Sequence, residues 1–267
     1  MCLCIEREKD TFQLAPGPAE NAGQAYGVGA KVSTNMVTKW LHLNELSGDP
    51  WILPVWNAVN TAVKAKKVRR LPDACYKLGL HVSTRLNILP RVVHRVNKGA
   101  SQLLASAKLH GPEHIFTKSG DGFAFPLDND LKYCLLADID SLLFELNSAC
   151  ELMMQLFAHL HSHVGCPIKK GEIGKAVREA LGGKLEDSAW FQSLDKHRNF
   201  FIHEGAPYLA VDISEEPDAY DLLIMRSNVR RFTTPRQYVA LSEVNSIVQG
   251  FLAAKTKLQK HLISLFT

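Results

Sequence analysis

The residues best suited to chemistry in this chain stand together near the end of a predicted helix, namely Arg198, Asn199 and His203. An Arg guanidinium can hold a phosphate through two hydrogen bonds, and a His can give or take a proton near neutral pH. An amide beside them can orient a phosphate or a nucleotide. This combination predicts cleavage of a phosphodiester in RNA without a metal ion.

Length and composition predict a globular protein and leave its ligand open. The 267 residues are 46% hydrophobic, enough to bury one large core or two smaller ones. The formal net charge of +4 permits a nucleic-acid ligand, but many proteins without such a ligand are equally basic. The distribution of charge along the chain is therefore more informative than its total.

The cysteines and the apolar runs predict where the protein resides. Neither an apolar signal core after a basic start nor a run of about 18 apolar residues occurs. Scattered cysteines in a chain large enough to have its own core favour reduced thiols. We therefore expect a cytoplasmic protein that does not enter a membrane. The six cysteines are Cys2, Cys4, Cys75, Cys134, Cys150 and Cys166.

The first 125 residues form a predicted N-terminal region to which no role is assigned. Gly and Pro are frequent up to about residue 50, so this part is expected to be loop-rich. A helix is predicted over about 51–67. The segment 73–106 is mixed in pattern, and Pro90 is expected to interrupt it.

Residues 126–267 predict a helical domain with a small β-hairpin insert, and the fold class is therefore mainly α. Apolar residues recur every three or four positions in the predicted helices, and two short apolar runs read as strands. Two long helices of this kind can pack antiparallel and carry the shorter motif helix. The predicted order is helix 129–164, helix 171–182, motif helix 188–203, strands 208–213 and 220–225, and helix 235–265.

The arrangement Arg198, Asn199, three further residues and His203 resembles the motif of the HEPN superfamily, the higher eukaryotes and prokaryotes nucleotide-binding domains. In that superfamily the motif lies on a late helix of an all-α bundle. Residues 126–267 resemble the branch that has a strand pair between the motif helix and a long last helix. The first 125 residues show no such resemblance.

The resemblance implies a metal-independent endoribonuclease with Arg198, Asn199 and His203 as catalytic residues and no cofactor. It also implies a toxin, stress or phage-defence role, with RNA as substrate and an antitoxin or other regulatory protein as a further partner. On an ideal helix of about 100° per residue, Arg198 and His203 point about 140° apart. Either the last turn opens or two chains complete one site, and the resemblance implies a homodimer with a composite site.

Neighbouring residues are assigned supporting roles. Asp195 is expected to steady Arg198, while His197 and Lys196 are expected to meet a phosphate next to the scissile one. Arg198 paired with Asp195 in a purely structural role is the alternative. A basic cluster after the second strand is predicted to bind the RNA backbone, with a solvated loop as the alternative. Its members are Arg226, Arg230, Arg231 and Arg236.

Other kinds of site are disfavoured. The chain has no Gly-rich phosphate loop, no Gly-x-Ser-x-Gly elbow and no paired metal-binding carboxylates. His159 and His163 stand four apart on one helical face, but no second ligand pair accompanies them, so no metal site is predicted.

Two other interpretations of the function remain open. One is a non-catalytic HEPN-like module that binds RNA, a nucleotide or a protein, and the other is a purely structural helical adaptor.

Overall fold

A computed structural model describes residues 50–109, 117–119, 122–124, 129–182, 189–201, 208–213, 217–225 and 238–267. Over these residues the fold is mainly helical with a small three-stranded antiparallel sheet, which confirms the predicted mainly α class. The helices are α1 (Leu53–Lys64), α2 (Asp73–Leu109), α3 (Asn129–His163), α4 (Ile173–Ala180), α5 (Ala189–Asn199) and α6 (Leu241–Ser264). The strands are β1 (Thr117–Ser119), β2 (Gly122–Ala124), β3 (Tyr208–Asp212), β4 (Asp221–Met225) and β5 (Tyr238–Ala240).

The two longest helices, α2 and α3, pack side by side as an antiparallel pair. Arg85 binds both carboxylate oxygens of Glu145 at 2.9 and 3.0 Å. Ten residues further along α2, the Arg95 Nε lies 2.7 Å from an Asp138 oxygen. The residue numbers of the α3 partners fall as those in α2 rise, so the two helices run in opposite directions. This pair forms the frame on which the second half of the chain packs.

The expected interruption at Pro90 is wrong, because α2 continues through this residue without a break. Pro90 is exposed, whereas apolar residues spaced three or four apart on the other face are buried. A proline inside a helix costs about 3 kcal/mol through the lost hydrogen bond and the ring clash. Burial of the eight apolar side chains on that face offsets this cost. Its members are Val82, Leu86, Leu89, Val92, Val96, Ala100, Leu103 and Ala107.

The helices on either side of residue 125 belong to one compact unit, Glu45–Thr267. The Trp51 indole Nε1 donates a hydrogen bond to the Lys255 carbonyl of α6 at 2.9 Å. Gln259 in turn donates to the Trp51 carbonyl. The start of the described chain is therefore tied to the last helix. The predicted loop-rich stretch up to residue 49 lies outside the described residues.

The predicted hairpin is present, and a third strand extends it. Strands β3 and β4 pair antiparallel from Tyr208 opposite Met225 to Asp212 opposite Asp221. Strand β5 then pairs with β4, with Val239 opposite Ile224. The predicted start of the last helix at 235 is therefore wrong, since α6 begins only after this strand.

Asp221 joins the sheet to the first turn of α6. One of its carboxylate oxygens accepts a hydrogen bond from the Leu222 amide at 2.8 Å, and the other accepts one from the Ser242 hydroxyl. An acceptor near the first helical turn satisfies donors that have no partner within the helix. The contact fixes where α6 starts and therefore where its residue Glu243 lies.

Helix α5, which carries the motif, packs against both α3 and α6. Leu194 is fully buried in this contact, and the Trp190 ring meets the Phe251 ring edge to face at 6.0 Å. The helix was predicted over 188–203. Regular α geometry ends at Asn199, Phe200 and Phe201 follow in a π turn, and residues 202–207 lie outside the described part.

Candidate functional site

Arg198 is the motif residue whose surroundings are most informative. Its side chain is half-buried, and its Nε atom is buried without a hydrogen-bond partner. Arg198 and Asp195 both belong to described helix α5, and no ion pair joins them. The ion pair is therefore absent both for the purely structural alternative and for the expected role of Asp195 in steadying Arg198. Among the described residues, the Arg198 guanidinium at the end of α5 has no acidic partner.

The other two motif residues differ in what can be said of them. Asn199 is the last residue of α5 and is exposed to solvent next to Arg198. Phe200 and Phe201 pack against the core and hold the end of the helix in place. His203 lies outside the described residues, as do Arg226, Arg230, Arg231 and Arg236. The predicted roles of these five residues stay predictions.

His197 is buried, with only 5% of its surface exposed. Its Nε2 lies 3.4 Å from a carboxylate oxygen of Glu243 on α6, and its Nδ1 is buried without a hydrogen-bond partner. Burial lowers the pKa of His197 below its usual value, the Glu243 charge opposes this shift, and the Lys196 charge adds to it. The imidazole is therefore neutral near pH 7. A proton on Nε2 and a lone pair on Nδ1 is the tautomer that costs least in this setting.

A polar pocket lies beside His197 between α5 and α6, and we refer to it as the α5–α6 pocket. Its volume is about 330 Å³, at the lower end of the range of roughly 300–1,000 Å³ typical of small-molecule sites. Lys196 contributes a cation, Glu243 an anion, and Trp190 an aromatic wall. Ser193 and Ser246 add hydroxyl groups.

The pocket could be found only in part from sequence. His197 and Lys196 stand beside the motif, so the sequence drew attention to them. Glu243 comes from the first turn of α6, and no local pattern links it to α5. Its position depends on the late start of that helix after β5, which the sequence did not reveal. No pattern in the sequence therefore identifies the complete set of residues that line the pocket.

A second cavity, of about 120 Å³, lies among α3, α4, α5 and α6 and is lined mainly by apolar side chains. Cys150 is among them, and burial raises the pKa of its thiol to about 12. Since the thiolate is the nucleophilic form of cysteine, this residue is not suited to covalent catalysis. The cavity is a gap in the packing and does not resemble a reaction site.

The histidines of α3 are engaged in packing and hydrogen bonding. His163 Nε2 donates to the Arg69 carbonyl at 2.8 Å, and His161 Nε2 lies 3.0 Å from His261 Nε2. The ring centroids of His161 and His261 are 5.2 Å apart, so the two rings meet at their Nε2 atoms and do not overlap face to face. Within the described ranges, no group of three or more His, Cys, Asp or Glu side chains is arranged to hold a metal ion.

Among the described helices, none is long and apolar enough to cross a membrane. Comparison of the chain with protein-family models, with curated proteins and with solved structures finds no match in any of the three.

Proposed function

We propose that this protein is a metal-independent endoribonuclease of the HEPN type that acts as a homodimer. The observation that carries the proposal is the Arg198 guanidinium, which is half-buried and has no acidic partner among the described residues. Asn199 is exposed directly beside it. A cation and an amide at the end of one helix form a phosphate-binding pair.

The missing partner of Arg198 favours an anionic ligand on energetic grounds. A buried polar group that makes no hydrogen bond costs about 1–3 kcal/mol, and a charged group costs more. Nε is buried, so phosphate oxygens would accept hydrogen bonds from the terminal nitrogens of the guanidinium. Binding of the RNA backbone would therefore place an anion beside a half-buried charge that has no acidic partner among the described residues.

The proposed reaction needs only one proton acceptor, one proton donor and a cation. His203 takes the proton from a ribose 2′-hydroxyl, and the 2′-oxygen attacks the adjacent phosphorus. Arg198 stabilises the charge that grows on the phosphorane oxygens, and Asn199 orients the phosphate. The bond from phosphorus to the 5′-oxygen breaks, and that oxygen receives the proton that His203 took from the 2′-hydroxyl. The products are a 2′,3′-cyclic phosphate and a 5′-hydroxyl, and DNA is not cut because it lacks the 2′-hydroxyl.

The decisive experiment is incubation of the purified protein with RNA in the presence of EDTA. We expect cleavage that falls by about 10²–10³ in Arg198→Ala and by about 10²–10⁴ in His203→Ala, as for other charge-stabilising and proton-transferring groups. Arg178→Ala and His81→Ala are matched controls, because both residues are exposed and lie outside the motif. Their activity should equal that of the wild type.

Two results would contradict the proposal. One is intact RNA at high protein concentration, and if RNA is nevertheless bound, the protein is a non-catalytic RNA-binding module. The other is equal activity in Arg198→Ala and in the wild type. The proposed toxin, stress or defence role predicts in addition that expression slows cell growth and that Arg198→Ala relieves the effect. A regulatory protein or antitoxin would be recovered with the Arg198→Ala protein, which can be expressed safely.

A further inference from the structure

The α5–α6 pocket presents acceptors and a donor in a defined set. Glu243 offers two carboxylate oxygens, one of which already lies 3.4 Å from His197 Nε2, and Lys196 offers an ammonium group from the opposite helix. The neutral His197 imidazole does not cancel the Glu243 charge, since burial keeps it unprotonated near pH 7. A planar ring that lies against Trp190 and carries two adjacent N–H donors and one acceptor would match the carboxylate and the ammonium group.

Among the common nucleobases, guanine has this order of groups along one edge. Its N1–H and exocyclic N2 amino group are adjacent donors, and its O6 is an acceptor beside them. Adenine would place its N1 lone pair against the Glu243 carboxylate, so two acceptors would face each other. A phosphate would bring negative charge to the same carboxylate. The mixed charge of the pocket thus favours a base over a phosphate.

We propose that the α5–α6 pocket binds a guanine base of the RNA, so that cleavage occurs next to guanosine. Glu243 accepts hydrogen bonds from guanine N1–H and N2–H, and Lys196 donates one to O6. The inference rests on the proposed nuclease function for its biological meaning. Lys196 and Arg198 lie two residues apart in α5, so their side chains leave the helix about 160° apart, and a strand that reaches both would pass round the end of the helix.

Binding of mononucleotides tests the pocket without any need for cleavage. Guanosine 5′-monophosphate should bind roughly ten- to a hundredfold more tightly than adenosine 5′-monophosphate, as measured by titration calorimetry, since one two-hydrogen-bond contact gives discrimination of this order. Glu243→Gln should abolish most of this difference, because its amide group places a donor against the N–H groups of guanine. Glu172→Gln, on an exposed residue before α4, is the matched control and should keep the difference.

A second variant guards against loss of the fold. Lys196→Met removes the donor to O6 from an exposed position, so it should weaken binding of the guanine nucleotide while the circular dichroism spectrum stays unchanged. In RNA of mixed sequence, the wild type should cut next to guanosine, and Glu243→Gln should cut with less preference.

The outcomes separate this inference from the proposed nuclease activity. Cleavage at all four nucleotides, with equal affinity for the two mononucleotides, overturns the guanine pocket and leaves the nuclease proposal standing. Tight guanine-nucleotide binding that is lost in Glu243→Gln, together with intact RNA, supports the pocket and rejects the nuclease. Equal guanine preference in Glu243→Gln and in the wild type also overturns the pocket, whatever the cleavage activity.

Discussion

Gly250→Ala should shift the helix that carries Arg198. Gly250 lies on α6 where α5 crosses it, and a Cβ atom at this position would stand 2.7 Å from Trp190 Cδ1 and closer still to Trp190 Cγ and Cβ. Cβ and Cγ are attached close to the α5 backbone, so a change of side-chain rotamer cannot move them far. The added methyl group must instead push the two helices apart.

The magnitude follows from comparison with Gly174→Ala. A Cβ atom at Gly174 on α4 would meet nothing within 4 Å. Both substitutions replace a helical Gly by Ala, and each gains up to about 1 kcal/mol of helix propensity. Only Gly250→Ala also pays for overpacking, at about 1–3 kcal/mol. The difference between the free energies of unfolding of the two variants should therefore be about 1–3 kcal/mol.

Urea unfolding, followed by circular dichroism, gives both free energies under one set of conditions. A double variant with Trp190→Ala should recover part of the overpacking cost, because the clash partner is then absent. Cleavage of RNA should also fall in Gly250→Ala, since Arg198 moves with α5. Equal stability of Gly250→Ala and Gly174→Ala would refute the close packing of α5 on α6.

The histidine pair and the proposed dimer give two further predictions. Burial lowers the pKa of both His161 and His261, so their contribution to stability is present above the unfolded-state pKa near 6.5 and is lost as the pH falls below it. Urea midpoints at pH 7.5 and 5.5 should differ less in His261→Gln than in the wild type, and an unchanged difference would contradict this. Mixing Arg198→Ala and His203→Ala chains should restore up to about one quarter of wild-type activity, because half of the dimers are mixed and each has one intact composite site. No recovery in subunits shown to exchange would mean that each chain holds a whole site.

The long helices could be predicted from sequence because their apolar spacing is regular. Helix α3 was expected over 129–164 and is found over Asn129–His163. The failure at Pro90 has the same physical origin as this success. Local propensity favours a break there, but the buried face of α2 runs unbroken on both sides of the proline and determines the outcome. At Pro90 the local helix propensity and the apolar pattern disagree, and tertiary packing keeps the helix continuous.

The candidate site was less predictable, because its partners are distant in the sequence. Strand β5 has only three residues and is defined by its pairing with β4, so no local alternation announces it. The start of α6 and the position of Glu243 depend on that strand. His197 looked like a surface group beside the motif, yet the packing of α5 buries it against Glu243. The sequence therefore predicted the motif helix but not which side of it faces α6.

The π turn at Phe200 and Phe201 bears directly on whether one chain can complete the site. The angle of about 140° between Arg198 and His203 assumes an α-helix with about 100° per residue. In a π turn the hydrogen bonds join residues five apart, which is also the spacing of Arg198 and His203, and each residue turns the chain by less. Any continuation of this turn therefore gives a smaller angle than the ideal helix. Helix geometry therefore leaves both arrangements open, and the mixing of inactive variants is the measurement that decides between them.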